Sequence, residues 1–345
     1  MNKTLRVSPW VALAVAMVML TGATVASLFW GSRSMDPHTV SSVLLRIPGI
    51  LMGQDAEGPA DMDTAVVLNR IPRTLTAIVV GAALAVSGAG IQGVSRNPLG
   101  DPGLLGLLSG AAAGVVLGLG WLGLHTMWHM TLASLAGSVV AALLVFGVSQ
   151  AGGTAPTPVG LTLSGAAVNA GFIAVTSAAV LSNQAILERF RYWSVGSVSG
   201  TGMTDLAVAV VPILVGIILV LLGASGLNAL ALGDDMAHGL GVNLGAQRTA
   251  VFVGVVLLAG TATAIAGPIA FVGLLIPHAV RRVVSADYRW IITVSLLAGP
   301  TLLLIADTIG RVIAPPQEVY VGVTTVVVGV PVLLFLLRRK QGVTL

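Results

Sequence analysis

Apolar stretches of about 20 residues recur along the whole chain, and each is long enough to cross the roughly 30 Å hydrocarbon core of a bilayer. Hydrophobic residues make up 56% of the 345 residues, whereas charged residues make up only 9%. A soluble domain carries about 25% charged residues and could not cover so much apolar surface with polar groups. The sequence therefore predicts an all-α, polytopic membrane helical bundle that forms one transmembrane domain over residues 1–345.

Turn-forming residues and charges divide these stretches into about ten transmembrane helices. Pairs such as Gly267-Pro268 interrupt helices and mark the breaks. A long outer loop is expected over 31–69, and a glycine-broken inner segment is expected over 227–247. The predicted spans are 10–30, 72–94, 102–122, 130–150, 159–182, 203–225, 248–266, 268–284, 290–309 and 320–338.

Ten spans place both termini on one membrane face, and the distribution of positive charge predicts that this face is cytoplasmic. With this orientation the inner segments hold more of the 17 basic residues than the outer segments, although the bias is weak. This bias explains the net charge of +4 better than nucleic-acid binding does. The apolar run from Trp10 to Trp30 is long for a signal-peptide core, so it is expected to be a retained first span. A removed signal peptide is the alternative.

A faint internal repeat relates the two halves of the chain. The segments Gly81–Gly88 and Gly260–Gly267 both have glycine at the first and eighth positions and alanine at the fifth. In the predicted topology one segment runs inward and the other outward, which indicates two related, inverted halves of the kind frequent in transporters. A helix-packing face made of small residues is the alternative explanation.

Residues for enzyme chemistry are scarce in this chain. Its two lysines, Lys3 and Lys340, do not end a phosphate-binding P-loop, so ATP hydrolysis is expected to belong to another chain. The sequence has no cysteine and no H-E-x-x-H motif. His125 and His129 stand four residues apart and could hold a soft metal, but they are expected to be ordinary loop histidines. We expect no cofactor and no metal bound by this chain.

Charged residues inside the predicted spans are also few. Asp307 and Arg311 lie one helical turn apart and predict an ion pair near the outer edge of the membrane. No isolated carboxylate or histidine at mid-depth indicates a proton-coupled carrier. The energy for transport is therefore expected to come from elsewhere.

Several motifs, taken in order, make the chain recognisable. The first half contains R-I-P-R at 70–73, the small-residue segment 81–88 and R-N-P-L-G-D-P at 96–102. The second half contains the acidic segment 227–242 and G-P-I-A-F-V-G-L-L-I-P-H at 267–278. Together these motifs resemble the FecCD family of ABC-transporter permeases, which serve iron–siderophore, haem and vitamin B12 importers.

The resemblance implies a type II importer with several partner chains. Two permease copies would pair as a homodimer, two ATPase subunits would bind on the cytoplasmic side, and an extracytoplasmic substrate-binding protein would dock outside. The implied location is the bacterial inner membrane, with ATP used by the partner ATPase. The implied cargo is a ferric siderophore, haem or a related chelate such as cobalamin, and the sequence does not separate these cargoes.

The resemblance also implies roles for three sets of residues. Arg70, Arg73 and Arg311 match family positions that pair with glutamates of the binding protein. Trp193 and Gly196 lie in a segment similar to the family's outer segment near the pathway mouth. The implied ATPase-coupling residues are Leu232, Gly233, Asp234, Asp235, Ala237, Leu240 and Gly241.

Alternatives stay open at this stage. The arginines could instead contact lipid headgroups or pair within the chain, and the coupling segment could be an ordinary surface loop. For the whole chain, an ATP-independent secondary carrier or channel is the first alternative. An intramembrane enzyme is the second, and the missing motifs disfavour it.

Overall fold

Thirteen α-helices make up the part of the chain that the computed structural model describes, and no strand is found there. The described residues are 7–51, 62–103, 105–124, 126–150, 158–231, 244–284 and 286–338. The helices are α1 (Pro9–Phe29), α2 (Pro37–Leu51), α3 (Met62–Val94), α4 (Leu107–Trp121), α5 (Met127–Gln150), α6 (Pro158–Ser182), α7 (Gln184–Trp193), α8 (Met203–Leu222), α9 (Ala224–Ala231), α10 (Leu244–Ala266), α11 (Val272–Val283), α12 (Tyr288–Val312) and α13 (Val321–Arg338).

Ten of these helices fall on the ten predicted spans in the same order. Seven of them, namely α1, α3, α5, α6, α8, α10 and α12, are long and apolar enough to cross a membrane by themselves. The helices α4 and α13 are shorter but apolar, and α11 has only 12 residues. The all-helical membrane bundle is confirmed, and about ten spans is consistent with this set of helices.

The segment expected as an outer loop, 31–69, contains helical structure. It includes α2 and the first turns of α3, which has 33 residues and begins well before the predicted span. Val40, Val43 and Val67 are buried together and lay α2 against α3. Apolar packing between α2 and α3 therefore gives helical structure to part of a segment that was predicted to be a loop.

Helix α3 lies at the centre of the bundle and is held there by close backbone contacts. It packs against α10, α11 and α12, and most of its residues from Ala77 to Gly93 are buried. Gly88 approaches the backbone of Gly273 so closely that a Cβ at this position would overlap the Gly273 carbonyl group. Gly81 approaches Gly299 in the same manner. Small residues thus let helices of the two halves touch directly.

The packing of the first half is repeated in the second. Helix α4 packs on α5 and α6 in the first half, and α11 packs on α12 and α13 in the second half. The two halves also contact each other in the same way, because α10 packs against α4 and α5 and α3 packs against α11 and α12. Both short helices start after a left-handed residue, namely Gly106 with φ 73° before α4 and Phe271 with φ 71° before α11. The repeated segment Gly81–Gly88 lies in α3, and Gly260–Gly267 covers the last turns of the corresponding helix α10 and the residue after it. This correspondence is the packing that two related halves require.

Candidate functional site

A buried ion cluster joins α3 to α12 near the end of the bundle where α1 ends. The Arg73 guanidinium donates hydrogen bonds to both carboxylate oxygens of Asp307, with Nη2–Oδ1 at 2.8 Å and Nε–Oδ2 at 3.0 Å. The Nε of Arg311 lies 3.0 Å from Oδ2 of the same carboxylate. Because Asp307 is only 1% exposed, its single negative charge is shared between two arginines away from solvent.

Arg311 also binds the end of α1. Its Nη1 donates to the carbonyl oxygen of Ser27 at 3.0 Å, and its Nη2 donates to the Ser27 hydroxyl at 2.9 Å. The Ser27 hydroxyl in turn lies 2.8 Å from the hydroxyl of Thr74 on α3. With 2% of its surface exposed, Arg311 therefore connects three helices through a continuous polar network.

Arg70 satisfies the last carbonyl groups of α1. Its Nη1 donates to the carbonyl oxygens of Leu28 at 2.8 Å and Phe29 at 2.9 Å, and its Nη2 donates to that of Arg33 at 2.9 Å. A helix end leaves such carbonyl groups without intrahelical partners, and a positive charge near them is stabilising. Arg70, which is 5% exposed, thus acts as a cap on α1 in this structure.

The structure brings the three predicted docking arginines into one region but directs two of them inward. The predicted pair between Arg311 and Asp307 is confirmed, so the intramolecular alternative holds for Arg311 in this chain. Arg70 and Arg311 are buried and already bonded, whereas the Arg73 side chain is 14% exposed. Docking of a binding protein stays a prediction, and Arg73 is the arginine of the three that a partner reaches most easily.

Glu318, in the loop between α12 and α13, is the fourth charged group of the cluster. Its Oε2 accepts a hydrogen bond from Nη1 of Arg73 at 2.6 Å, and its Oε1 accepts one from the Ser32 hydroxyl at 2.9 Å. Burial alone would raise the pKa of Glu318, but the hydrogen bond and the positive charge of Arg73 outweigh this effect and hold the pKa below its usual range. Glu318 is therefore ionised at neutral pH.

A second candidate site is an open cavity of about 420 Å³ beside the end of α7. Trp193, predicted at the pathway mouth, lines it, and the indole Nε1 donates to the carbonyl oxygen of Ala264 at 3.4 Å. The cavity combines aromatic, thioether and hydroxyl side chains. Its other lining side chains of these kinds are Tyr192, Tyr320, Met127, Met130, Ser197, Ser199 and Thr201.

Gly196, the other residue predicted at the mouth, lies behind this cavity at a crossing of three segments. Its φ is 77°, and a Cβ would contact the Pro268 carbonyl oxygen at 2.7 Å and the Gly322 Cα at 3.4 Å. The Gly322 N–H donates to the Gly196 carbonyl at 3.1 Å. Glycine is required here because of both the left-handed conformation and the lack of space. The structure thus brings Trp193 and Gly196 together, and their role in a pathway stays a prediction.

The predicted coupling residues from Leu232 to Gly241 lie outside the described residues. The chain that leads into them is described, and it is anchored at α9. The amide of Asn228 donates to Oδ1 of Asp287 at 2.6 Å, and its Oδ1 accepts from the backbone N–H of Tyr288 at 2.8 Å. These two hydrogen bonds fasten α9 to the first turn of α12.

Tyr288 extends this anchor to α11. Arg281 donates from Nη2 to the Tyr288 hydroxyl at 2.8 Å, and its guanidinium lies 4.8 Å from the centre of the tyrosine ring. Sequence reasoning missed this contact and the Asn228–Asp287 bond, because each joins side chains of two different helices or helix ends, and the second joins residues 59 positions apart. The signals in the sequence that could have indicated these contacts are Asp287, an acidic residue just before α12, and the arginines near it.

Only one member of the histidine pair 125/129, which was expected to be two ordinary loop histidines, lies within the described residues. His125 lies outside the described residues, and the imidazole Nδ1 of His129 is hydrogen-bonded to the Thr126 hydroxyl. Across the described part of the chain, no group of three histidine, aspartate or glutamate side chains is placed to hold a metal ion.

The described residues form an apolar bundle of two similar halves, with a charged network at one end and the anchored helix α9 at the other, as expected of a polytopic transport protein. The chain belongs to the FecCD transport family, whose model matches residues 17–339. It is therefore a permease subunit of an ABC importer.

Relatives with known names match most of the chain. The ferric enterobactin transport system permease protein FepD of Escherichia coli (strain K12) is 39% identical over 340 residues, which are 99% of this chain and 98% of that protein. The hemin transport system permease protein HmuU of Yersinia pestis is 40% identical over 79% of this chain and 82% of its own length. The cobalamin import system permease protein BtuC of Halobacterium salinarum is 34% identical over 99% and 92%.

A solved structure supports the same assignment. A metal-chelate type ABC transporter in an inward-facing conformation matches with a TM-score of 0.78 and 27% sequence identity. The match covers 96% of this chain and 99% of the other. The whole bundle, and not one fragment of it, therefore follows the architecture of an ABC permease.

Proposed function

We infer that this chain forms the transmembrane pathway of an ATP-driven importer that carries a ferric siderophore or a related metal chelate into the bacterial cytoplasm. The observation that carries this proposal is the match to a ferric enterobactin permease over 99% of the chain. Haem and cobalamin, which appear in the names of two other relatives, are the alternative cargoes for the same transport reaction.

The cavity beside α7 supports a role in passing a bulky polar ligand. Its lining contains aromatic rings and hydroxyl groups, and no charged side chain is among its described lining residues. A transport pathway must bind its ligand weakly enough to release it, and a fixed charge would retain a charged chelate. Trp193 and Ser197 are proposed to contact the passing cargo at this point.

A separate ATPase subunit is proposed to drive the reaction, because the sequence has no P-loop of its own. The segment 227–247 is proposed to seat in a groove of that subunit. The bond between Asn228 and Asp287 supports this assignment, since it would pass a movement of the segment to α12. Two permease copies would then bind two ATPase subunits.

A second copy of the chain is proposed to pack against α6. This helix exposes a row of small residues that includes Ala167, Ala170, Ala174 and Ala178. In a membrane, small residues on one helix face allow another helix to approach closely. The cargo pathway would then run between the two copies in the inner membrane, with both termini of each copy cytoplasmic.

An extracytoplasmic binding protein is proposed to dock at the ion cluster. Arg73 and Glu318 are the partly accessible members of that cluster, with side chains 14% and 31% exposed. A carboxylate of the docked protein could exchange with Glu318 on the planar guanidinium of Arg73.

Transport is tested by reconstituting the permease with its ATPase and binding protein in proteoliposomes. ATP-dependent uptake of a ferric siderophore that exceeds uptake of haem and cobalamin would support the proposal. Equal uptake without ATP or without the ATPase would favour a secondary carrier and overturn it. Uptake of haem or cobalamin alone would correct the cargo but retain the transport mechanism.

The homodimer is tested by disulfide crosslinking, for which the chain is suited because it has no cysteine. Ala170→Cys on α6 should crosslink two copies under oxidation. The matched control is Leu143→Cys, an exposed position on α5. Crosslinking of the control alone, or of neither variant in the active complex, would contradict the proposed interface.

A further inference from the structure

An apolar groove of about 410 Å³ lies between α1, α11 and α12. Ala12 and Ala16 on α1 are buried in it, whereas Met19 and Ile305 are 53% and 41% exposed at its lining. Among the described lining residues, Thr301 is the one with a hydroxyl group or an amide, and the others are apolar. The groove is therefore suited to a hydrocarbon chain and not to a polar chelate.

The direction of the groove relative to the membrane follows from the contacts of α1. At one end of this helix Trp10 contacts Trp290, and at the other end Ser27 contacts Arg311, so α1 and α12 run side by side in the same direction. The groove lies towards the tryptophan end. On α12 its lining extends from Val294 to Ile305, about 17 Å of helix. This length is close to half of the roughly 30 Å hydrocarbon core, which is the depth of one leaflet.

The tryptophan pair marks the level of the membrane surface. The rings of Trp10 and Trp290 meet edge to face with their centres 4.9 Å apart, and Trp10 is 69% exposed. Tryptophan is enriched where the hydrocarbon core meets the headgroups, because its ring is apolar and its N–H is polar. The groove thus opens at the headgroup level of the leaflet that surrounds the start of α1.

Positive charge collects at the same end. Arg282 directly precedes the groove-lining Val283, and the exposed Arg289 directly precedes Trp290. The nearby carboxylate of Asp287 accepts hydrogen bonds from Asn228 and from the Arg289 backbone. Two arginines at headgroup level beside an apolar groove match a ligand with an anionic head and a hydrocarbon tail.

We propose that this groove is a binding site for an anionic glycerophospholipid, with one acyl chain in the groove and the phosphate beside Arg282 and Arg289. In the orientation given above the lipid belongs to the cytoplasmic leaflet. Its acyl chain would fill the space between α1 and the α11–α12 pair. The site is separate from the cavity beside α7 and does not depend on the identity of the cargo.

The test uses native mass spectrometry of the intact permease complex, titrated with phosphatidylglycerol or with phosphatidylcholine of the same chain length. The wild-type complex should retain phosphatidylglycerol with the higher affinity. Ala16→Phe, which fills the groove, should weaken this binding by about tenfold. The matched control is Ala136→Phe, which adds the same volume at an exposed position of α5 outside the groove.

The headgroup contact is tested separately, so the proposal remains testable if the Ala16→Phe variant does not fold. Arg282→Gln with Arg289→Gln should remove the preference for phosphatidylglycerol over phosphatidylcholine, a loss of about tenfold. Arg191→Gln, which removes an exposed charge on α7, should preserve the preference. Equal binding of the two lipids by the wild type, or an unchanged preference in the double variant, would overturn the proposal.

Discussion

Arg73 donates hydrogen bonds to both carboxylate oxygens of Asp307, a residue 234 positions further along the chain. The pair joins the central helix of the first half to the long helix of the second. Asp307 also neutralises Arg311, so one buried carboxylate holds two guanidinium groups in place. Such a network is costly to break, because each remaining charge is left without a partner in an apolar environment.

Replacing Asp307 by alanine should therefore destabilise the protein strongly. The buried Arg311 would lose its counter-charge and Arg73 would keep only Glu318, and removal of one partner of a buried ion pair costs about 3–5 kcal/mol. Thermal unfolding in detergent measures the effect. Glu318→Gln is the control, because the Glu318 side chain is 31% exposed and its loss should cost less. Equal unfolding temperatures for the two variants would contradict the central role of Asp307.

The contribution of Glu318 should depend on pH. Its pKa is lower in the folded protein than the usual value of about 4.3, so its ionised form is the one that folding favours. Its stabilising effect is complete above the usual pKa and is lost as the pH falls through the lowered one. The difference in unfolding temperature between wild type and Glu318→Gln should shrink as the pH falls below about 4. A constant difference down to pH 3 would refute this explanation.

The proposed docking function of Arg73 can be separated from its structural one. Arg73→Lys keeps the positive charge but loses the planar fork that binds a carboxylate with two hydrogen bonds. We expect about a tenfold loss of affinity for the binding protein, measured in nanodiscs. Arg191→Lys is the matched control on α7. Unchanged affinity in a correctly folded Arg73→Lys variant would remove Arg73 from the docking surface.

Asn228 should be needed for coupling more than for assembly. Asn228→Ala removes both hydrogen bonds that fasten α9 to α12, each worth about 1 kcal/mol. We expect transport to fall several-fold while the ATPase subunit stays bound and continues to hydrolyse ATP. Asn183→Ala, which removes the cap of α7, is the control. Equal losses of transport and ATP hydrolysis in Asn228→Ala would indicate a general folding defect instead.

The contact between α3 and α11 should tolerate no side chain. Gly88→Ala places a methyl group against the backbone of Gly273, so the helices must separate and lose packing. We expect a large fall in unfolding temperature or in the amount of folded protein, detected by fluorescence size-exclusion chromatography. Gly147→Ala, where a Cβ meets no atom within 4 Å, should behave as the wild type. Normal behaviour of Gly88→Ala would contradict the close approach.

Local patterns in the sequence were sufficient to predict the positions of the helices but not the contacts between them. Apolar run length predicted the spans, because a bilayer imposes that length on each helix. The pair Asp307–Arg311 was also accessible, since residues four apart share a helix face. The remaining contacts of the cluster were not: Ser27 meets Arg311 and Thr74, and Glu318 meets Arg73, only after distant segments have packed. The periodicity of residues within one helix does not indicate these long-range contacts.

The arginine roles show the same distinction. The family resemblance marked Arg70 as a surface contact, yet its guanidinium binds two backbone carbonyls at the end of α1 and that of Arg33 just beyond it. Those carbonyls become acceptors only because α1 stops beside α3. A helix end and its distant cap are therefore determined together by packing, and the sequence near Arg70 does not contain this relationship.

The crossing of Gly196 and Gly322 has a mechanical consequence for the cavity beside α7. The Gly322 N–H is bonded to the Gly196 carbonyl, and the adjacent Ser197 N–H is bonded to the Ala266 carbonyl at 2.7 Å. The segment behind Trp193 is thereby tied to the start of α13 and to the end of α10. While these bonds hold, the segment behind Trp193, the start of α13 and the end of α10 must move as one rigid unit when the cavity widens. The width of the cavity is therefore linked to the tilt of α10 and α13 and not to the movement of a flexible loop.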